Sequence, residues 1–240
     1  MRALSSTLLS AQKISVKKEL IRLVLTNNGT TYTHYSTSGA NRIKSLDYTE
    51  EDDRQTAQIV LDNADRTVSD IDLKGFKAVI SQGITTSSGD EYSAKAPLYV
   101  VGQDKLSQQG NKDVSLSLAG IPNLINEDEA SEALDFESDD SQTVKTLFRK
   151  IAGDSGVSTF TAYTHCKDYD VTFDSEDDLI DTFIPADAFS IPFKANRLRK
   201  LKELLNYTDC VMRVEADGKI HVMIPTSTTT TQWVADTAYA

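Results

Sequence analysis

Apolar and polar residues alternate along several stretches of the first half of the chain. Ile21, Leu23 and Leu25 alternate with Leu20, Arg22 and Val24. Ala57, Ile59 and Leu61 alternate with Thr56, Gln58 and Val60. Phe76, Ala78 and Ile80 alternate with Lys77, Val79 and Ser81, and Val114, Leu116 and Leu118 with Asp113, Ser115 and Ser117. Leu98-Tyr99-Val100-Val101 is a short apolar run. A period of two describes a strand with one buried and one wet face. Turn-forming residues lie between: Asn63-Ala64-Asp65, Gly83, Ser87-Ser88-Gly89-Asp90 and Gly110-Asn111. Residues 1–126 are therefore expected to form an antiparallel β-barrel or sandwich-like domain.

The pattern then changes. Glu127, Asp128, Glu129, Glu132, Asp135, Glu137, Asp139 and Asp140 place eight carboxylates in residues 127–140, read as an acidic linker or solvated helix face between two units. Val144, Leu147, Phe148 and Ile151 follow at helical spacing, with Asp140 or Ser141 as the expected cap and Gly153 as the stop. A second helix is expected from Arg197 to Asn206. Leu198, Leu201 and Leu205 form its apolar stripe, and Arg199, Lys200 and Lys202 are expected to face water.

A hairpin is expected over Val211–Met223. A two-residue Asp217-Gly218 turn would oppose Val214 to His221 and mix polar with apolar on both faces. A three-residue loop, Ala216-Asp217-Gly218, pairs Val214 with Ile220, Arg213 with His221 and Met212 with Val222, which makes each face uniform. That register places Gly218 in the left-handed conformation and His221 on the solvent face. Residues 141–225 thus read as an α+β domain with two helices and a β-hairpin. Residues 226–240, with four consecutive threonines and Trp233, read as a Thr-rich tail or the start of a further domain.

Charge narrows the partners. With 36 acidic against 25 basic residues, the net charge of −11 repels nucleic-acid phosphates and anionic membranes. No apolar run reaches the length of about 20 residues that a membrane-spanning helix needs. The opening Met1–Leu9 segment is read as carrying no signal peptide. The sequons at Asn28 and Asn206 are accordingly read as chance matches.

The search for chemistry returns no catalytic, cofactor-binding or metal-binding set. Cys166 and Cys210 fit no metal spacing and are read as reduced thiols, with a disulfide left open. His165 adjoins Cys166, but neighbours on a strand point to opposite faces. His34 sits in a polar stretch. No Gly-x-Ser-x-Gly elbow, phosphate loop or dinucleotide fingerprint occurs. Asp168, Asp170, Asp174, Glu176, Asp177, Asp178 and Asp181 cluster, yet a calcium loop started at Asp168 or Asp170 lacks glycine at position six and glutamate at twelve. Irregular, weak calcium binding by this cluster stays open.

Several segments together resemble the tail-tip and baseplate-hub proteins of tailed phages. They are Leu61-Asp62-Asn63-Ala64-Asp65-Arg66, Leu73–Ile80, Ala96–Val101, Leu179–Pro185, Tyr207–Arg213 and Asp217–Val222. The resemblance implies a barrel-like tube domain joined to an α+β domain, and homo-oligomers, trimers above all, around a tail axis. It implies partners in the tail tube above and a tip or spike protein below. DNA at most passes through a lumen, and there are no catalytic residues to carry over. It implies a place in the virion tail, assembled in the host cytoplasm. The reading that follows is a structural, non-enzymatic subunit. The alternatives are a β-rich carbohydrate- or adhesin-type binding module, and a hydrolase using carboxylates or Cys166.

Overall fold

The computed structural model describes residues 5–13, 19–36, 41–51, 53–108, 110–137 and 140–225. The threonine-rich stretch with Trp233, and Asp139 of the acidic run, lie outside the described residues.

A short helix, α1 (Ser6–Gln12), precedes eight strands. These are β1 (Glu19–Asn27), β2 (Thr30–Tyr35), β3 (Ile43–Glu51), β4 (Arg54–Asp62), β5 (Lys77–Thr86), β6 (Gly89–Ala94), β7 (Leu98–Gln108) and β8 (Asn111–Gly120). They form one antiparallel sheet in the order β2-β1-β5-β7-β8-β4-β3, with β6 added to β5. The five expected strands are all present. Their alternating residues face one core: Leu23 lies opposite Ile80 and Leu25 opposite Ala78, while Ile59 lies opposite Leu116. Val68, Leu73 and Phe76, from the loop between β4 and β5, close one side of that core.

The sheet is sandwich-like and does not close into a barrel. Its edges β2 and β3 share no ladder among the described residues. Among the described residues β2 joins the segment leading into β3 at one end, where Tyr35 bridges Asn41 and its carbonyl accepts the Arg42 N–H at 3.0 Å. The Asn63-Ala64-Asp65-Arg66 segment secures that end. Asn63 is buried and its side chain accepts from the N–H groups of Val68 and Ser69. Arg66 takes a left-handed φ of 64°, and Asp65 grips the Arg42 guanidinium with both oxygens.

The second half begins directly from the sheet. Gly120 ends β8 and caps α2 (Ile121–Ile125). A Cβ there would lie 2.5 Å from that of Gln55, so glycine permits the close approach. There follow β9 (Leu134–Asp135), α3 (Val144–Ala152), β10 (Val171–Phe173), α4 (Asp178–Thr182), β11 (Ser190–Ile191), α5 (Arg197–Leu205), β12 (Val211–Val214) and β13 (Ile220–Met223). Strand β13 is central in a three-stranded sheet, parallel to β10 and antiparallel to β12; β9 pairs with β11. Helices α3 and α5 supply Val144, Leu147, Phe148, Ile151, Leu201 and Leu204 to a second core. Ala96, from the β6–β7 connection, and Ile121 and Ile125 of α2 belong to this core too.

The two expected helices and the hairpin are found. Gly153 ends α3 in the left-handed conformation, but the cap is Thr143, whose hydroxyl accepts the Thr146 N–H, and not Asp140 or Ser141. Helix α5 spans Arg197–Leu205 with Asn196 as its cap. Lys200 does not face water. The side chain is buried, and its ammonium lies over the Phe189 ring and reaches Glu203 at 2.7 Å. The hairpin takes the three-residue register: Val214 pairs with Ile220, Arg213 with His221 and Met212 with Val222, and Gly218 has φ 82°. Three short helices, α1, α2 and α4, were not expected. The described part of the acidic run is an extended strap with no helix. It adds β9 to the fold and lays Ala130 against Ala195 through a 2.9 Å hydrogen bond.

Candidate functional site

Two features join the large sheet to the second half. The first is Gln55, which is buried. Its backbone N–H donates to Asn123 Oδ1 at 2.8 Å and its Nε2 to the Val214 carbonyl at 3.2 Å, tying β4 to α2 and β12. Lys202 with Asp53, and Lys167 with the Tyr99 hydroxyl, add polar links on the rim.

The second is a cleft of about 450 Å³ between α1, β6 and the β12–β13 hairpin. Ser5, Glu91 and Tyr92 line one wall, and Glu215, Asp217 and His221 the other. Ser5 Oγ donates to Glu91 at 2.5 Å, and Arg22 lies over the Tyr92 ring.

His221 is the focus of this cleft. Sequence placed it on the solvent face, but it is 9% exposed. The register was right and the burial wrong, because the chain after β10 folds Asp174 over that face. Nδ1 lies 2.9 Å from Asp174 Oδ2, and Nε2 lies 3.1 Å from both Asp217 oxygens. Glu215 is close by and paired with Arg213. Burial alone would lower the His221 pKa. The hydrogen bonds that Asp174 and Asp217 accept from the ring, with their charges, outweigh it and raise the pKa above the ordinary 6.5. Asp217 shows the converse: burial opposes ionisation, but the Lys219 N–H and His221 hold its pKa below the usual carboxylate value. One oxygen each from Asp174 and Glu215 and one His221 nitrogen all lie within 4.8 Å of one another.

The remaining candidates separate. His34 lies beside Arg42 in a separate pocket lined also by Tyr32 and Leu73, and burial followed by that charge lowers its pKa. His165 Nε2 does touch Cys166 Sγ, at 3.4 Å. Burial and then Asp128 raise the thiol's pKa, the opposite of what an activated nucleophile needs. Both cysteines are free, with Cys210 buried in the second core. The acidic cluster also disperses. Asp170 accepts from the Ser155 N–H, Glu176 and Asp181 hold Lys145, and Asp177 caps α4 while accepting the Asp209 N–H.

Sequence reasoning missed Arg197. Its side chain is fully buried, donating to the carbonyls of Ile151 and Lys167 and to Asp128, with Tyr163 and Tyr169 flanking the guanidinium. An arginine at the first position of an amphipathic helix gives no sign of burial. The isolated Asp128 carboxylate in a run of eight gives no sign of being its partner. An exposed apolar patch lies nearby in the chain: Leu179 of α4 and, just after the helix, Phe183 and Ile184, with the Phe183 ring packed on Tyr207 at 5.1 Å.

No protein-family model and no curated protein matches this sequence. Solved structures do match. The tail protein from Neisseria meningitidis MC58 is 13% identical at a TM-score of 0.54, over 84% of this chain and 50% of that one. A chain of the Francisella PdpA–VgrG complex is 10% identical at a TM-score of 0.51, over 95% of this chain and 32% of that one. The chain therefore has the fold of these phage-tail-like proteins. The chain spans half the length of the first of these proteins and about a third of the second. No helix among the described residues is long and apolar enough to cross a membrane.

Proposed function

We propose that this chain is a structural subunit of a phage-type tail tip or baseplate hub, joining the tail tube to distal tail proteins. The observation that carries the reading is the shared fold, which extends over both halves of the chain and matches a tail protein across 84% of it. The site geometry agrees. Its buried polar residues hold elements together: Gln55 ties β4 to α2 and β12, Arg197 ties α5 to α3 and the acidic strap, and Cys166 lacks an activated thiolate. Among the described residues β2, β3 and β6 are edge strands of the large sheet, where neighbouring subunits could add strands, and a trimer about the tail axis is the assembly we favour. A net charge of −11 suits a tube through which DNA slides without adhering. The protein would reside in the virion tail after assembly in the host cytoplasm, acting without catalysis.

Particles purified from a lysate test this directly. Mass spectrometry should find the chain in intact particles, and gold labelling of a tagged chain should mark the tip of the tail. Its absence from purified particles, or label on the capsid, would overturn the reading.

A further inference from the structure

Asp174, Glu215 and His221 come from three adjacent strands of one small sheet. Asp174 follows β10, Glu215 follows β12, and His221 lies in β13 between them. The pairing fixes their spacing: Thr172 and Arg213 both oppose His221, and the Asp174 N–H donates to the Val222 carbonyl at 2.9 Å. His221 is thus held within a strand, and Asp174 and Glu215 sit one residue beyond the ends of the two strands beside it, each tied to the sheet by a backbone hydrogen bond. We propose that these three residues form a binding site for a divalent first-row transition ion, with Asp217 as the residue that orients the histidine.

The donor set selects the ion. One imidazole nitrogen with two carboxylate oxygens suits zinc, cobalt or manganese, whereas calcium and magnesium favour oxygen alone. The two ring nitrogens already have distinct surroundings. Nε2 faces Asp217 and Nδ1 faces Asp174; in the metal-bound state Nε2 would donate its proton to Asp217 and Nδ1 would take the ion. A carboxylate behind a ligating histidine is the usual support for such a ligand. Arg213 occupies one oxygen of Glu215 and leaves the other. With the ligand atoms within 4.8 Å of one another, binding requires the carboxylates to close in by about an ångström, since metal–ligand bonds are about 2.0–2.2 Å. The cleft beside His221 admits the waters that complete the coordination shell.

Cobalt titration of the full chain tests the site. Visible absorption should report one tightly bound Co²⁺ per chain, displaced by Zn²⁺. His221→Gln and Asp174→Asn should each weaken binding at least 100-fold, and Asp217→Asn by about 10–100-fold, as loss of a supporting carboxylate does. Glu176→Gln, at the Lys145 ion pair, should leave the affinity unchanged. Circular dichroism confirms that each variant folds. If His221→Gln does not fold, Zn²⁺ added to the unsubstituted chain should still shift the His221 Nδ1 resonance. Equal Co²⁺ affinity in folded His221→Gln, no tight equivalent, or an unmoved Nδ1 resonance would overturn the assignment and leave only a protonated histidine between carboxylates.

Discussion

Arg197 Nη1 donates to Asp128 Oδ2 at 2.8 Å, so a residue of the acidic run holds the one end of α5 that carries a fully buried cation. The same nitrogen donates to the Lys167 carbonyl at 2.7 Å, and Nε to that of Ile151. Removing one partner of a buried pair strands the other's charge. Asp128→Asn should therefore lower the unfolding free energy by about 3 kcal/mol, toward the low end for buried pairs because Asp128 is partly solvated. Arg197→Met, which removes the charge with it, should cost less than Arg197→Ala. Urea denaturation of the three variants checks both statements.

The histidines should titrate on opposite sides of the ordinary value of 6.5. His221 is raised, so its stabilising effect is full below 6.5 and is lost as pH rises through its folded midpoint. His34 is lowered, so the unfolded chain binds more protons, and its contribution to stability falls as pH drops below 6.5. Proton NMR should show the His221 midpoint above 6.5 and that of His34 below it. In Asp174→Asn, the His221 midpoint should move down.

Gly218 has φ 82°, and a Cβ there would sit 3.2 Å from Pro97 Cγ. Gly218→Ala meets both the left-handed backbone penalty and this contact, and should destabilise by about 1–2 kcal/mol. Gly75, with φ 80°, has open space around its missing Cβ, so Gly75→Ala pays the backbone term alone. Comparing the two melting curves isolates the contact.

The Cys166 thiol should react slowly. Burial and the nearby Asp128 carboxylate raise its pKa, and thiolate supply limits alkylation. Iodoacetamide labelling at neutral pH should be slower than for a free thiol in a peptide, and Asp128→Asn should speed it.

Truncating the sheet core is the plainest packing test. Ile59 is completely buried and faces Leu116 across β4 and β8. Ile59→Ala should cost about 2–5 kcal/mol in chemical denaturation, with an exposed counterpart such as Val101→Ala near zero.

Strands β1, β4, β5, β7 and β8 were legible because each presents a stripe of branched apolar residues to one core. Strands β2, β3 and β6 were not, since they run along the sheet's margins with few buried positions: Thr30–Tyr35 has none and Ile43–Glu51 only Ile43. The hairpin register could be read to the residue, because a one-residue slip would have exchanged its faces. What burial lies over a face is set by distant chain, and that is why His221 and Lys200 were misplaced. Asp174 reaches His221 across 47 residues, and Phe189 covers Lys200 from another segment. The site shares that non-local origin: its ligating atoms were visible individually, but their meeting depends on the parallel pairing of β10 with β13, which local periodicity does not encode.

Gly120 ends a strand and starts a helix within one residue, with Gln55 pressed against it and Ile121 and Ile125 sunk in the neighbouring core. There is no slack at that point. A pull on the helical half is carried straight into β8 and β4, where it loads the ladder hydrogen bonds together and along their length. Mechanically that junction should act as a bracket more than as a link between two beads on a string, passing torque from the helical half into the sheet.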